Sequence, residues 1–305
     1  MKYVLKKAGQ ALITVFLVSV IVFLAIHSTG DPVGSLLPSQ YTEEQKQQLT
    51  AQLGLDQPLI IQYLQFAVKA LQGNLGESYI SKRPVSDMIF EKLPYTFELA
   101  VVSIIVAFII TIVFGSLAAL RKGKLSDLII TNLSTLFKST PIFFLAILLV
   151  QLFGVKLRIF PVSGAGTPLH LVLPAGLLGI SISADMVMIL RGKMIEALES
   201  DYIKFGRLKG LSEYKIVLKH ALRNSFSSVL ALSSFIFAHL IAGSVVMENV
   251  FAWPGIGTLS YNSVISRDFP VVQGIVLLLS IFTIVLSLLI DILSAILDPR
   301  IRKKV

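Results

Sequence analysis

Three of the charged side chains within strongly apolar stretches of the sequence, where a charge is costly, are candidates for function. They are Lys138, Asp185 and Asp291. Opposite charges at one depth of a membrane can pair and hold helices together. Alternatively, the apolar stem of Lys138 can stay in the membrane while its ammonium group reaches the nearest membrane–water interface. The sequence leaves both interpretations open: an intramembrane charge cluster joining three helices, or a lysine that snorkels.

The four histidines fall in separate segments of the chain, at His27, His170, His220 and His239. Their spacing gives no support to a metal site, and cysteine is absent, so we predict no metal bound by this chain. His239 lies near the middle of an apolar segment, with Gly243 one helical turn later. This pair is interpreted either as packing within a bundle or as the lining of a translocation path, where a neutral imidazole could touch a metal chelate or a peptide carboxylate.

The known nucleotide-binding and hydrolase motifs are absent from the sequence. There is no G-x-x-x-x-G-K-[ST] sequence, so we predict no P-loop for ATP. Gly164-Ala165-Gly166 has no strand and helix around it, and neither H-E-x-x-H nor G-x-S-x-G occurs. The sequence therefore predicts no catalytic residues and no cofactor bound by this chain.

The composition is that of a membrane protein. Of 305 residues, 54% are hydrophobic and 15% are charged, against about 45–50% and about 25% in soluble domains. Six apolar segments are each long enough to cross a hydrocarbon core of about 30 Å. They are 8–27, 95–120, 129–154, 171–190, 226–248 and 274–297. We predict an all-α polytopic membrane protein with six transmembrane helices, in which Pro141 and Pro174 bend the third and fourth.

The first segment resembles a secretory signal, because Lys2, Lys6 and Lys7 precede it. However, the apolar run continues for twenty residues, and the stretch 27–31 is a poor cleavage site. We therefore favour an uncleaved helix.

The distribution of basic residues predicts the orientation. With the N-terminus inside, the segments 1–7, 121–128, 191–225 and 298–305 hold 18 Lys and Arg in 58 residues, and the outer segments hold 8 in 108. Since basic residues collect on the cytoplasmic side, we predict that both termini are cytoplasmic.

Two connections are too long to be simple turns. The outer loop 28–94 has helix signals at Thr42-Glu43-Glu44, broken at Leu55-Asp56-Gln57-Pro58, and predicts a small external helical subdomain. The cytoplasmic loop 191–225 is basic, and Gly210-Leu211-Ser212 divides it into two short helices. Gly210 would end the first helix and Ser212 would cap the second.

Several motifs, in order along nearly the whole chain, together resemble one transporter group. They include Leu53-Gly54-Leu55-Asp56-Gln57-Pro58, Gly73-Asn74-Leu75-Gly76, Leu93-Pro94-Tyr95-Thr96-Phe97, Asp201-Tyr202-Ile203-Lys204, Lys209-Gly210-Leu211-Ser212, Glu248-Asn249-Val250-Phe251-Ala252-Trp253-Pro254-Gly255 and Asp298-Pro299-Arg300. The chain resembles the inner-membrane permeases of binding-protein-dependent ABC importers, in the dipeptide, oligopeptide and nickel group. The resemblance implies a type I importer permease fold and a multi-pass location in the inner membrane.

In that family a cytoplasmic E-A-A-x₃-G loop docks on the ATPase. Here the Glu, the Ala pair and the final Pro of the motif are missing, and Gly210 with its flanks is carried over. The implied ATPase-coupling loop consists of Lys204, Phe205, Gly206, Arg207, Leu208, Lys209, Gly210, Leu211 and Ser212. Its basic residues could pair with acidic rims of a partner, although a plain interfacial helix is the alternative.

The resemblance also implies the partners. A second homologous permease would complete the pore, two ATPases carrying ATP and Mg would drive it, and an extracytoplasmic solute-binding protein would deliver substrate. External docking or gating would involve the loop 28–94 together with Glu248, Trp253, Pro254 and Gly255. The lipid bilayer is the other partner, and no nucleic acid is expected.

The expected division of the chain is 1–94 as first helix and external subdomain, 95–297 as a five-helix core, and 298–305 as a cytoplasmic tail. The expected function is half of a translocation pathway for short peptides or for nickel and metal chelates. An ion-gradient-driven carrier or channel is the main alternative, and a membrane-embedded enzyme is a weaker one because the histidines are dispersed.

Overall fold

The structure is a computed structural model that describes residues 2–28, 33–37, 41–230, 236, 240 and 244–297. In these ranges the regular structure is helical, with one isolated bridge between Glu77 and Pro84. The N-terminal helices are α1 (Lys2–Ser28), α2 (Val33–Leu36), α3 (Glu43–Gln52) and α4 (Leu59–Leu71). The next are α5 (Val85–Ile110), α6 (Ser116–Leu120), α7 (Leu125–Ser139), α8 (Ile142–Leu149), α9 (Pro168–Leu198), α10 (Asp201–Leu208) and α11 (Glu213–Lys215). The last are α12 (Val245–Val250), α13 (Ile256–Ile265) and α14 (Phe269–Leu297). The all-α prediction is thus confirmed for the described residues.

Contacts group the chain into two compact units, 1–96 with 254–305, and 97–253. The C-terminal residues join the N-terminal ones because α1 packs along α14, and α13 packs on α14 as well. This grouping differs from the division at residue 94 that the sequence suggests.

In the first unit, the external helices begin and end where the sequence indicates. Thr42 caps α3 in a capping box with Gln45, and Pro58 directly precedes α4. Asp268 anchors the segment between α4 and α5, since its carboxylate accepts from the Ser78 hydroxyl at 2.5 Å and from the Tyr79 amide at 2.9 Å. These two contacts join residues about 190 positions apart in the chain.

The core of the first unit is built from the start of α5 and from α13 and α14. Buried Val85 and Ile89 pack with Val271 and Ile275. Thr96 completes this contact, because its hydroxyl accepts the amide of Ile256 at 2.8 Å. A cavity of about 200 Å³ lies beside this core, and its lining includes His27, Gln62 and Gln273.

In the second unit, α9 is the central helix. It packs on α7, on α6 and on a π-helical segment, Thr111–Gly115, that joins α5 to α6. Met186, Leu190 and Met194 of α9 are fully buried in its core. At Gly179 the neighbouring helix comes so close that a Cβ would lie 2.8 Å from the Ser103 carbonyl oxygen. Pro174 lies inside α9, which continues through it.

The third predicted span, 129–154, is not one continuous helix. It is broken at Thr140-Pro141. Here α7 and the helical segment that follows it, Ile142–Lys156, form a bent pair with an angle of 101° between them. Proline at position 141 cannot donate its backbone amide, and it disfavours a helical conformation of the residue before it. Thr140 is accordingly extended, with ψ 129°. The bend that the sequence predicts at Pro141 is therefore a complete break.

Helix lengths support fewer candidate spans than the six predicted. Three described helices are long and apolar enough to cross a membrane: Val85–Leu120, Pro168–Leu198 and Phe269–Leu286. The bent pair makes a fourth if it forms one crossing. Leu12–Ser28 is a shorter apolar helix, and about half of the predicted span 226–248 lies outside the described residues. The second span begins about ten residues earlier than predicted, at Val85, which shortens the outer loop.

Candidate functional site

The segment 201–222 forms two short helices around a glycine, as the sequence predicts. Gly210 has φ 77°, a value that glycine adopts without steric cost. Its amide donates to the Arg207 carbonyl, and the amide of Leu211 donates to the Gly206 carbonyl. This is the hydrogen-bond pattern of a Schellman motif, in which the residue after the glycine also packs back on the helix. The Leu211 side chain fulfils that role by packing over Gly206.

The second helix differs from the prediction at its start. Ser212 has an extended backbone and is the N-cap residue, but its side chain makes no capping hydrogen bond. Instead, Glu213 in the first turn binds Arg207 of α10 through two hydrogen bonds of 2.7 and 3.2 Å. After α11 the chain continues as a π-helical segment, Ile216–Leu222, that packs on α9 and α10.

The Arg207–Glu213 pair locks the two short helices together across the turn. Hydrogen bonding to Arg207 lowers the pKa of the Glu213 carboxyl, and the same contact raises the pKa of Arg207. Lys204 pairs with Asp201 within α10, and the Lys209 ammonium lies 4.6 Å from the centre of the Phe205 ring. The basic residues of this loop are therefore largely engaged within the loop itself.

One side of the segment is anchored and the other is exposed and apolar. Ile203 and Ile216 are fully buried. Leu208 is 86% exposed, and Tyr214 is 74% exposed. Tyr202, Phe205, Leu211 and Leu218 are further exposed large apolar residues on the segment. An exposed apolar patch on a rigid, anchored element is typical of an interaction surface.

An ion pair with a buried carboxylate, which sequence reasoning missed, joins α7 to the C-terminal part of α9, the helix that precedes this segment. Asp127 of α7 accepts from Arg191 Nε at 2.5 Å and from Arg191 Nη2 at 2.7 Å. The Asp127 side chain is 3% exposed. Both residues fall in loops that the hydropathy pattern assigns to solvent. The available signal was weak: an acidic residue in a short basic turn, and an arginine directly after an apolar span.

The structure brings Lys138 and Asp185 together. Lys138 Nζ lies 2.6 Å from Asp185 Oδ1, and the contact joins α7 to α9. The backbone of Asp291 lies on α14, but its side chain is outside the described residues, as are His239 and Gly243. Of the predicted cluster of three charges, the structure therefore describes one pair. The roles of His239 and Gly243 stay predictions.

The predicted external docking and gate residues are buried rather than exposed. Glu248 is 0% exposed, and Ser244 donates its hydroxyl to the carboxylate at 2.7 Å. Trp253 is 2% exposed, and its amide donates to the Glu248 carbonyl at 2.7 Å. Pro254 is half-buried, and Gly255 is the N-cap residue of α13. Trp253 and Glu248 thus lie within the fold, and the docking or gating role of these residues stays a prediction.

Among the residues that the structure describes, no three His, Asp or Glu side chains come close enough to hold a metal ion. The geometry described so far is that of helices, ion pairs and an exposed apolar segment.

Comparison with known proteins agrees with this description. Residues 111–303 match the family "binding-protein-dependent transport system inner membrane component", and residues 1–100 match the N-terminal domain of such membrane components. The glutathione transport system permease protein GsiC of Escherichia coli (strain K12) is 37% identical over the full length of both chains. A candidate peptide transport system permease protein of Brucella abortus (strain 2308) is 37% identical over 98% of each chain.

Two solved structures show the same fold at low identity. The inward-facing MetNI methionine ABC transporter matches with a TM-score of 0.57 and 18% identity, over 69% of this chain and 96% of that one. An amino acid ABC transporter with histidines matches with a TM-score of 0.54 and 16% identity, over 68% and 94%. The matched part has the type I ABC permease fold. The family match and the full-length relatives set aside the carrier, channel and enzyme alternatives, and they indicate a transport component whose ATPase is a separate subunit. The chain belongs to the inner-membrane permeases of binding-protein-dependent ABC importers of the peptide group.

Proposed function

We propose that this permease forms half of a translocation pathway for short peptides, together with a second homologous permease. The proposal rests mainly on the full-length similarity to the glutathione permease, whose named substrate is itself a small peptide. The named substrate of the Brucella relative is also a peptide. No observation on the described residues favours nickel or a metal chelate over a peptide. An extracytoplasmic solute-binding protein would deliver the substrate to the outer face.

The six-span topology with both termini in the cytoplasm is part of the same proposal. It is supported by the basic-residue distribution and by the six apolar segments of the sequence. The chain has no cysteine, so single cysteines report cleanly. An impermeant thiol reagent added to intact cells should label a cysteine at Ser163 and leave one at Ser212 unlabelled. Labelling at Ser212 would reverse the orientation.

In this proposal the ATPase docks on residues 201–218. The single observation that carries this step is the Gly210-centred pair of helices, anchored through Ile203 and Ile216 and exposing Leu208 and Tyr214. Because three of its four cations, Lys204, Arg207 and Lys209, already have partners within the segment, the contact should be mainly apolar.

The docking step is tested by Leu208→Asp, which places a charge in the middle of the exposed patch without touching the buried anchors. The variant should reach the membrane and lose the co-purifying ATPase. A matched control is Leu157→Asp, at an exposed leucine outside the segment, which should keep the ATPase. Equal retention of the ATPase by both variants would show that docking occurs elsewhere.

A further inference from the structure

Two ion pairs join the region around the α6–α7 turn to the C-terminal part of α9 and its cap residue. Arg191 of α9 holds Asp127 of α7 with two nitrogens, and Lys122 Nζ in the turn lies 2.6 Å from Oε1 of Glu199, the residue after α9. Arg191 and Glu199 are separated by about 12 Å along the helix, at about 1.5 Å per residue. These four residues are called the turn clasp below.

Asp127 is the central group of the turn clasp. Its second oxygen, Oδ2, accepts from Arg191 and also from the Gly123 amide at 2.8 Å. Gly123 has φ 74°, so this amide belongs to the tightest part of the turn. One buried carboxylate therefore fixes both the turn backbone and the guanidinium of α9. A bidentate pair of this kind sets orientation as well as distance, which a lysine in the same place would not do.

Stability alone is a weak reason for such a pair. Two charges lose their hydration when they are buried, and well-packed apolar residues in their place are often as stable. What the pair specifies is geometry: the position of the 121–124 turn and of α7 relative to the last turns of α9.

A short, hydrogen-bonded connection joins the end of α9 to the proposed docking segment. Glu199 and Ser200 are the only residues between α9 and α10. The Ser200 carbonyl accepts from Ile203 and Lys204, and the Ser200 hydroxyl donates to the Ala197 carbonyl. A displacement of α10 must therefore reach Glu199 and the turn clasp almost directly.

We propose that Asp127 and Arg191 are positioning residues that carry movement of the docking segment to the α6–α7 turn and to α7, and so couple ATP hydrolysis to transport. This inference rests on the proposed docking of an ATPase at residues 201–218. Lys122 and Glu199 support the same connection at the surface, where both side chains are exposed.

The decisive variant is Asp127→Leu combined with Arg191→Met, which removes both charges and keeps apolar volume. In the complex with its ATPase and binding-protein partners, we expect a near-normal amount of assembled protein. We expect peptide uptake per ATP hydrolysed to fall at least fivefold. Arg191→Lys should give an intermediate ratio, because it keeps the charge and loses the two-point contact. Lys193→Gln removes an exposed pair with Glu196 on the same helix and is the control, with an unchanged ratio.

Normal assembly with a normal ratio in the double variant would overturn the proposal, since the pair would then be packing only. If the double variant fails to assemble, Lys122→Gln and Arg191→Lys decide, and normal ratios in both would overturn the proposal. Failure of the docking step is distinguishable, because Leu208→Asp would then keep the ATPase whatever the clasp variants do.

Discussion

Lys138 and Asp185 lie 47 residues apart in the chain, and their side chains meet at 2.6 Å between α7 and α9. On this chain alone the two side chains are 64% and 51% exposed. In a membrane that exposure is to lipid or to a neighbouring subunit, where an unpaired charge is costly.

Removing one partner of this pair should therefore do more harm than removing both. Lys138→Met should reduce the amount of assembled permease severalfold, as measured by immunoblotting of membranes and by size-exclusion chromatography. Adding Asp185→Asn should restore part of it, because no uncompensated charge remains. Lys193→Met, in an exposed pair on α9, is the control and should have little effect. A double variant no better than the single one would mean that Lys138 acts alone.

A larger residue at position 210 should disrupt the turn because of the backbone conformation required there, and not because of a clash with neighbouring atoms. No atom lies within 4 Å of a Cβ added there, but the φ of 77° is strained for a β-branched residue. Gly210→Val should cost about 1–3 kcal/mol locally and lower the uptake per ATP or release the ATPase. Gly210→Asn is the matched variant, because asparagine tolerates this region better. Equal activity of the Val and Asn variants would contradict the backbone argument.

The close approach at Gly179 predicts a packing defect. A Cβ there would lie 2.6 Å from a Val106 methyl and 2.8 Å from the Ser103 carbonyl oxygen, so α5 and α9 must separate. Gly179→Ala should destabilise the protein by roughly 1–3 kcal/mol, as measured by thermal unfolding in detergent. Gly176→Ala and Gly192→Ala lie on the same helix with open space around them and should be neutral or slightly stabilising. A normal melting temperature for Gly179→Ala would show that the two helices are not packed this closely.

The environment of the Tyr79 hydroxyl should make the protein less stable at alkaline pH. Burial, and then the nearby charge of Asp268, raise the pKa of the Tyr79 hydroxyl from 10.0 to about 12. Below pH 10 both the folded and the unfolded state hold this proton, and the contribution is constant. Between pH 10 and about 12 only the folded state holds it, so the free energy of unfolding should fall as the pH rises, by up to roughly 3 kcal/mol.

The measurement is thermal unfolding of the purified protein at several pH values above 9. The stability of Tyr79→Phe should fall less steeply with rising pH than that of the wild type, because this hydroxyl is absent. Tyr214→Phe, at an exposed tyrosine, should show the same slope as the wild type. Identical slopes for the wild type and Tyr79→Phe would argue against a buried, raised-pKa tyrosine.

The sequence predicted those features that depend on neighbouring residues. The Thr42 cap, the start of α4 after Pro58 and the glycine turn at 210 follow from local backbone preferences. The Lys138–Asp185 contact was predicted because few charges occur in apolar segments, which leaves few partners.

Features set by tertiary contact were not predictable in this way. Asp127 and Arg191 look like ordinary loop residues until α7 and α9 pack. The π-helical segment Val150–Lys156 has no sequence signal, and the burial of Trp253 reflects packing that a conspicuous loop motif does not reveal. The break at Pro141 was foreseen as a bend, because the local rule predicts a lost hydrogen bond but not how far the next helix turns.

The anchoring of Ser78 and Tyr79 by Asp268 has a consequence for synthesis of the chain. The segment before α5 emerges from the ribosome about 190 residues before the carboxylate that holds it. At about 5–20 residues per second, that delay is on the order of 10–40 s. During this time the carboxylate of Asp268 has not yet been synthesised, so Ser78 and Tyr79 lack these two hydrogen bonds. The last helices of this protein therefore complete its first domain, and a truncated product that stops before residue 268 should be recognised and degraded as unfinished.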